Sequence, residues 1–337
     1  MRRQIECTKI AKKIIEAFTT NAPQMESYPT HHFALRVYRT TGEADKQKIL
    51  ANPIKEAEIV LKDITKAGSN RYVKIRSLEL YDIMKDRMGK KERMRQKFFK
   101  TRKEDLFHYN LIQQLYFWRC LGIGNGMLKT YYNAGLSIIK DNKQHITKNM
   151  LCEDAIKYYG TQLANYAYFL KFFGICDITK KFRDAWQSIF MKTDNLSNYM
   201  FQNKIYGMTH FIIAGSDYYQ TYASMQEFGW ILEYFSNNIN KIIKRTHIDI
   251  IAEVGLCYKL CNINNGHPLE TIEDYVVKSF DRKAGFIPRK GYIPKSEERN
   301  LNIAEHTNAV SFMLLNGFKK LHGGPDLSGQ FDDQFKK

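Results

Sequence analysis

The chain has 337 residues, 44% of them hydrophobic and 13% aromatic, and carries a net charge of +17. That length buries a sizeable core without disulfides, and no run of about 18 apolar residues free of charge marks a spanning helix. The N-terminus, MRRQIECTKIAKK, lacks the apolar run and small-residue cleavage site of a signal peptide, so a soluble protein is expected, either cytoplasmic or secreted with its leader removed.

The first predicted element is IAKKIIEAF, where Ile10, Ile14, Ile15 and Phe18 fall at helical spacing. HHFALRVYR reads equally as a strand or a short helix. KEAEIVLKDITKAG is a helix stopped at Gly68. Residues 71–104 read as one or two charged helices. EDLFHYNLIQQLYFWRCLGIG follows as an apolar helix ending near Gly122 or Gly124. Further helices are expected in EDAIKYYGTQLANYAYFLKFFGI, KIYGMTHFIIAGSDYYQ, EFGWILEYFSNNINKIIKRT, HIDIIAEVGLCYKLCNIN, LETIEDYVVKSF and NIAEHTNAVSFMLLNGFKKL. No proline stands between Pro53 and Pro268, and polar/apolar alternation is scarce, so strands are not expected there.

THFIIAGSDYY, DIIAEVGLCYKL and EHTNAVSFMLL each begin polar and become apolar with small residues. Thr209 to Asp249 spans 40 residues and Asp249 to Asn302 spans 53, room for a returning helix and its loops. The spacing predicts helical hairpins forming an α/α toroid or incomplete ring, with a solenoid as the alternative. A single helical domain over 1–337 is expected. Within it lie a basic helical part over 1–110, core hairpins over 111–322 and a flexible tail over 323–337.

The six cysteines form no CxxC pair. Cys257 and Cys261 share a helix face and read as core residues rather than zinc ligands. From Lys85 to Lys103, ten basic residues face only Asp86 and Glu92. Lys90, Lys91, Arg93 and Arg95 are the candidate polyanion contacts, against the plainer reading of a solvated helix face. GIGNGM lacks the spacing and lysine of a phosphate loop, and no GxSxG, HExxH or Walker pattern is present. No cofactor and no metal is expected.

HIDIIAEVGLCYKL, AGFIP and NLNIAEHTNAVSFMLL, preceded by MTHFIIAGSDYY and by YPTHHFALRVYR, resemble a bacterial family catalogued as domain of unknown function 3541. The resemblance covers most of the chain beyond residue 28. It implies a helical ring and supplies no activity and no site residues.

Chemistry is expected where polar residues open the inner helices. His210, Asp249, Glu253, Glu305 and His306 are the candidate acid–base residues. Asp249 and Glu253 share a helix face, whereas His306, directly after Glu305, points elsewhere. His31 and His32 are weaker candidates because their element type is ambiguous. Tyr206, Tyr218 and Trp230 are candidate substrate-stacking aromatics, although aromatics at helical spacing more often pack a core. The leading functional expectation is a hydrolase or lyase of a carbohydrate-like or other polar substrate. The alternative is a non-enzymatic binding or effector protein that uses the ring as a docking surface and contacts a polyanion through its basic segment.

Overall fold

The computed structural model describes residues 2–85, 90–193, 195–289 and 297–336, with backbone only for Arg2, 90–92 and 297–300. Among the described residues the fold is all helical, with no strand. The helices are α1 (Arg2–Thr20), α2 (Ser27–Thr41), α3 (Lys46–Lys66), α4 (Asn70–Lys85), α5 (Lys90–Phe99), α6 (Lys103–Cys120), α7 (Lys129–Asp141), α8 (Lys143–Met150), α9 (Glu153–Phe172), α10 (Thr179–Phe190), α11 (Asn198–Gly215), α12 (Met225–Arg245), α13 (Ile248–Leu260), α14 (His267–Lys278), α15 (Glu297–Asn316) and α16 (Ser328–Phe335). HHFALRVYR, ambiguous in sequence, lies inside α2.

The chain divides into two compact units, each discontinuous in sequence. The first holds residues 1–55 and 215–323, the second 56–214 and 324–337. The parting points fall at 55, 214 and 323, and α4 and α5 pack against α6 and α9 within the second unit. In the segment 323–337, α16 forms and buries Phe331 within the second unit, where the Leu327 amide donates to the Leu121 carbonyl at 2.8 Å.

In the first unit α12 and α13 differ in burial. α12 buries one face, Phe228, Ile231, Leu232, Phe235, Ile239 and Ile242, which is the stripe of a helix lying on a core. Ser224 caps it, its hydroxyl accepting from the Glu227 amide. α13 then returns buried on every side from Ile250 to Leu260. Gly255 makes that possible: a Cβ there would stand 2.8 Å from Ile272 and 2.9 Å from Leu314, so only glycine lets α13 lie this close to α14 and α15. α15 is the central element and packs on α1, α2 and α13. Asn308, fully buried on α15, donates to the Ile287 and Ala304 carbonyls and accepts from the Ile287 amide, tying the segment after α14 to the core.

In the second unit α9 is buried along most of its length, and α10 covers it with Phe182, Trp186 and Phe190.

Candidate active site

Three helices of the first unit, α2, α13 and α15, bring together two histidine–glutamate pairs. α2 and α15 run in the same direction side by side. Asn302 accepts from the Glu26 amide, His32 meets Glu305, and Phe33 lies against Phe312. Glu305 and His306 are adjacent on α15, and at 3.6 residues per turn their side chains diverge by about 100°. Glu305 therefore faces α2 and His306 faces α13.

His32 Nδ1 lies 2.7 Å from Glu305 Oε1. With the proton on Nδ1, the imidazole donates to the carboxyl group and Nε2 is left basic. His306 Nε2 lies 3.2 Å from Glu253 Oε1, an ion-pair contact too oblique for an aligned hydrogen bond. The two imidazole centroids are 5.5 Å apart. The glutamates are buried, whereas the His306 side chain is 40% exposed. Tyr28, 48% exposed, stacks on His32 at 5.9 Å. The group thus meets solvent at His306 and Tyr28.

The two pairs differ in protonation. Burial pushes the Glu305 carboxyl up to about 8, against the opposing charges of His306, Arg36 and His31. Burial, with Arg36 and His306 adding to it, holds His32 well below its ordinary value. At neutral pH the His32–Glu305 pair is therefore uncharged. Partial burial would also lower His306, but Glu253 beside it, helped by Asp249, raises it above its ordinary value. The His306–Glu253 contact therefore favours the charged form of the imidazole, the opposite of the bias at His32. His31, next to His32, is turned away: its Nδ1 meets the Ile49 carbonyl at 2.5 Å, and burial lowers it to about 4.

One turn beyond His32, Arg36 shares its face of α2. Its guanidinium lies over the rings of Tyr219, at 4.6 Å, and Tyr218, at 5.7 Å. These tyrosines come from a turn after α11 in which Asp217, Tyr218 and Tyr219 have φ of 53°, 55° and 68°. Three successive left-handed residues with side chains cost about 1–2 kcal/mol each, and such strain persists only where the surroundings enforce it. Buried Ser216 does so. Its hydroxyl accepts from the Tyr219 amide at 3.0 Å and its carbonyl from the Gln220 and Thr221 amides. Burial first, then the charge of Tyr219 for Tyr218 and of Glu253 for both, raises the two phenols despite Arg36.

The other sequence candidates are placed as follows. Asp249 lies in the first turn of α13, one turn before Glu253, and its charge acts on His306. His210 and Tyr206 belong to α11 in the second unit, where His210 Nδ1 meets Asn165 Oδ1 at 2.9 Å and packs edge-on against Tyr206. His210 lies deep within α11 and Glu305 two turns inside α15, because both helices begin earlier than the polar residues that seemed to open them. Of the three supposed helix starts, only DIIAEVG is one. Trp230 is half-buried on α12. The side chains of Lys90 and Lys91 lie outside the described residues. Arg93 is exposed, and Arg95 is engaged within the second unit, bonding Gln162 Oε1 at 2.6 Å and lying over Tyr159.

Arg36 and Tyr28 carry no weight in the sequence, and His32 is only a weaker candidate there. Their signal was the pair His32 and Arg36 at four-residue spacing, visible only once 27–41 is known to be helical. Among the described residues no three histidine, cysteine or acidic side chains are grouped to hold a metal. No described helix is long and apolar enough to cross a membrane.

The family model described as Domain of unknown function (DUF3541) matches residues 7–337. No curated protein and no solved structure matches the chain.

Proposed function

The chain belongs to the DUF3541 family, and we propose that it is an acid–base enzyme, a hydrolase or lyase acting on a carbohydrate-like or other polar substrate at His32 and His306. The observation that supports this is the pair of imidazoles 5.5 Å apart, each held by its own glutamate and pushed in opposite directions. Groups whose environments drive their proton affinities apart are suited to serve one reaction as acid and base.

His32, neutral and presenting Nε2, takes a proton from water or from an acidic carbon of the substrate. His306, as imidazolium and open to solvent, gives one to the departing oxygen. Glu305 and Glu253 position the rings, and Asp249 helps keep His306 charged. A half-buried Tyr218 and an exposed Tyr28 offer aromatic surface to a sugar ring. The reading needs no closed ring of hairpins, because every residue named here belongs to the first unit. His210, in the second unit, is given no part in it.

The test is a panel of oligosaccharides and polysaccharides, followed for new reducing ends and for new conjugated double bonds. Turnover is expected, and His32→Ala and His306→Ala should each lower it by about 10²- to 10⁴-fold, the usual worth of a positioned acid or base. The far-ultraviolet circular dichroism should be unchanged. Turnover that survives both substitutions overturns the proposal. Binding without turnover would favour the docking protein instead.

A further inference from the structure

Arg36 is 3% exposed, yet among the described residues no carboxylate lies within ion-pair distance of it. Arginine is almost never this buried without an acidic partner, because removing its charge from water is costly. Its neighbours are the faces of Tyr218 and Tyr219 and a polar contact with the Tyr219 side chain. Its Nε is buried with no acceptor. Glu305, across the α2–α15 interface, is bonded to His32 and feels Arg36 only at a distance. The parallel course of α2 and α15, with Glu26 beside Asn302 and Phe33 beside Phe312, carries Arg36 away from the acidic start of α15.

We propose that Arg36 is the receptor for a carboxylate on the substrate, so that the site takes a hydroxylated monocarboxylate of the hexuronate kind. This rests on the acid–base reading of the same site and names its substrate class. Three observations lead to it. The guanidinium shares one face of α2 with His32, which sets a bound carboxylate one helical turn from the basic nitrogen. Among the described residues no carboxylate is within ion-pair distance of the cation, and a ligand carboxylate would supply one through paired N–H···O bonds. The strained turn at 217–219 places two phenol rings against it, which hold the planar guanidinium in orientation. A single negative charge is preferred over two. A second negative charge would be repelled by Glu253, whose charge already acts on the Tyr219 phenol beside Arg36.

The test is equilibrium binding to the full chain by calorimetry, with D-galacturonate and D-glucuronate as probes, galactose as the neutral control and glucose 6-phosphate as the dianion. A uronate is expected to bind about 10- to 100-fold more tightly than galactose, the worth of a charge-assisted hydrogen-bond pair. Glucose 6-phosphate should bind more weakly than the uronate. Arg36→Gln should erase the preference, and Arg36→Lys, which keeps the charge and controls for folding, should retain part of it. His32→Ala should keep the preference while stopping turnover, which separates this inference from the acid–base reading. Equal binding of galactose and both uronates, absence of uronate binding, or an unchanged preference in a folded Arg36→Gln protein overturns the inference. Phosphate binding tighter than uronate overturns the carboxylate assignment.

Discussion

Raising the pH from 5 to 8 is expected to weaken the protein relative to its Glu305→Gln variant. Glu305 starts near 4.5 in the unfolded chain and is held up to about 8 in the folded one. Between those values the unfolded chain has released its proton and the folded chain has not. The stabilising contribution is thus fully present below about pH 4.5 and is lost as the pH rises towards 8. The steepest rate is about 1.4 kcal/mol per pH unit for one proton. His306, also raised, loses stability in the same direction above its unfolded value, whereas the depressed His32 works the other way below about pH 6.5. Both histidines are present in the variant, so the difference reports Glu305 together with its action on His32 and His306. Urea midpoints for the two proteins at pH 5, 6, 7 and 8 check it. Parallel curves would mean that Glu305 ionises normally, and the neutral His32–Glu305 pair would be lost from the account.

The largest effect on stability is expected from Glu273→Ala. Lys259 on α13 and Glu273 on α14, each 4% exposed, form an ion pair at 2.9 Å. The Lys259 ammonium also donates to the Leu314 carbonyl near the end of α15, and Arg3 of α1 approaches the other carboxylate oxygen of Glu273 at 3.6 Å. One buried pair thereby joins four helices of the first unit. Removing the glutamate leaves the lysine charge buried without its counter-ion, which costs about 3–5 kcal/mol when one partner of such a pair is deleted. Replacing both at once, Lys259→Met with Glu273→Leu, should recover most of the loss, because the desolvation of two charges disappears with them. Chemical unfolding of the single and double variants measures this. A loss under about 1 kcal/mol for Glu273→Ala would show that water or a moving side chain reaches Lys259.

How much of this was legible before folding depends on what each residue needed to be recognised. The helical class was, because proline absence and helical spacing are local properties of segments such as EFGWILEYFSNNINKIIKRT. Glu253, Glu305 and His306 were also legible as polar groups in otherwise apolar helices, a misplacement that burial of α13 and α15 turns into close contact. The partner helix was not. HHFALRVYR has no decisive period, so His32 and Arg36 could not be put on one face, and His32 stayed a weaker candidate. His210 shows the converse. THFIIAG resembles DIIAEVG in composition, but it sits deep in a helix of the other unit, and likeness of composition does not fix a position in space. The left-handed turn was invisible as well. GSDYYQ carries no glycine at 217–219 to announce positive φ, and the conformation is imposed by Ser216 and the packing of the tyrosines.

The most direct test of the central claim is the pH titration of the His32 and His306 ring nitrogens by nitrogen-15 NMR, with each resonance assigned by His32→Ala and His306→Ala. The two rings are 5.5 Å apart and paired to different glutamates, so their protonation should separate. His306 is expected to titrate above the ordinary histidine value, as an imidazolium at neutral pH, and Glu253→Gln should bring it down. His32 is expected to remain neutral well below that value, with its proton on Nδ1 and Nε2 unprotonated. Two histidines titrating together near the ordinary value would contradict the opposed pairs and the acid–base function built on them.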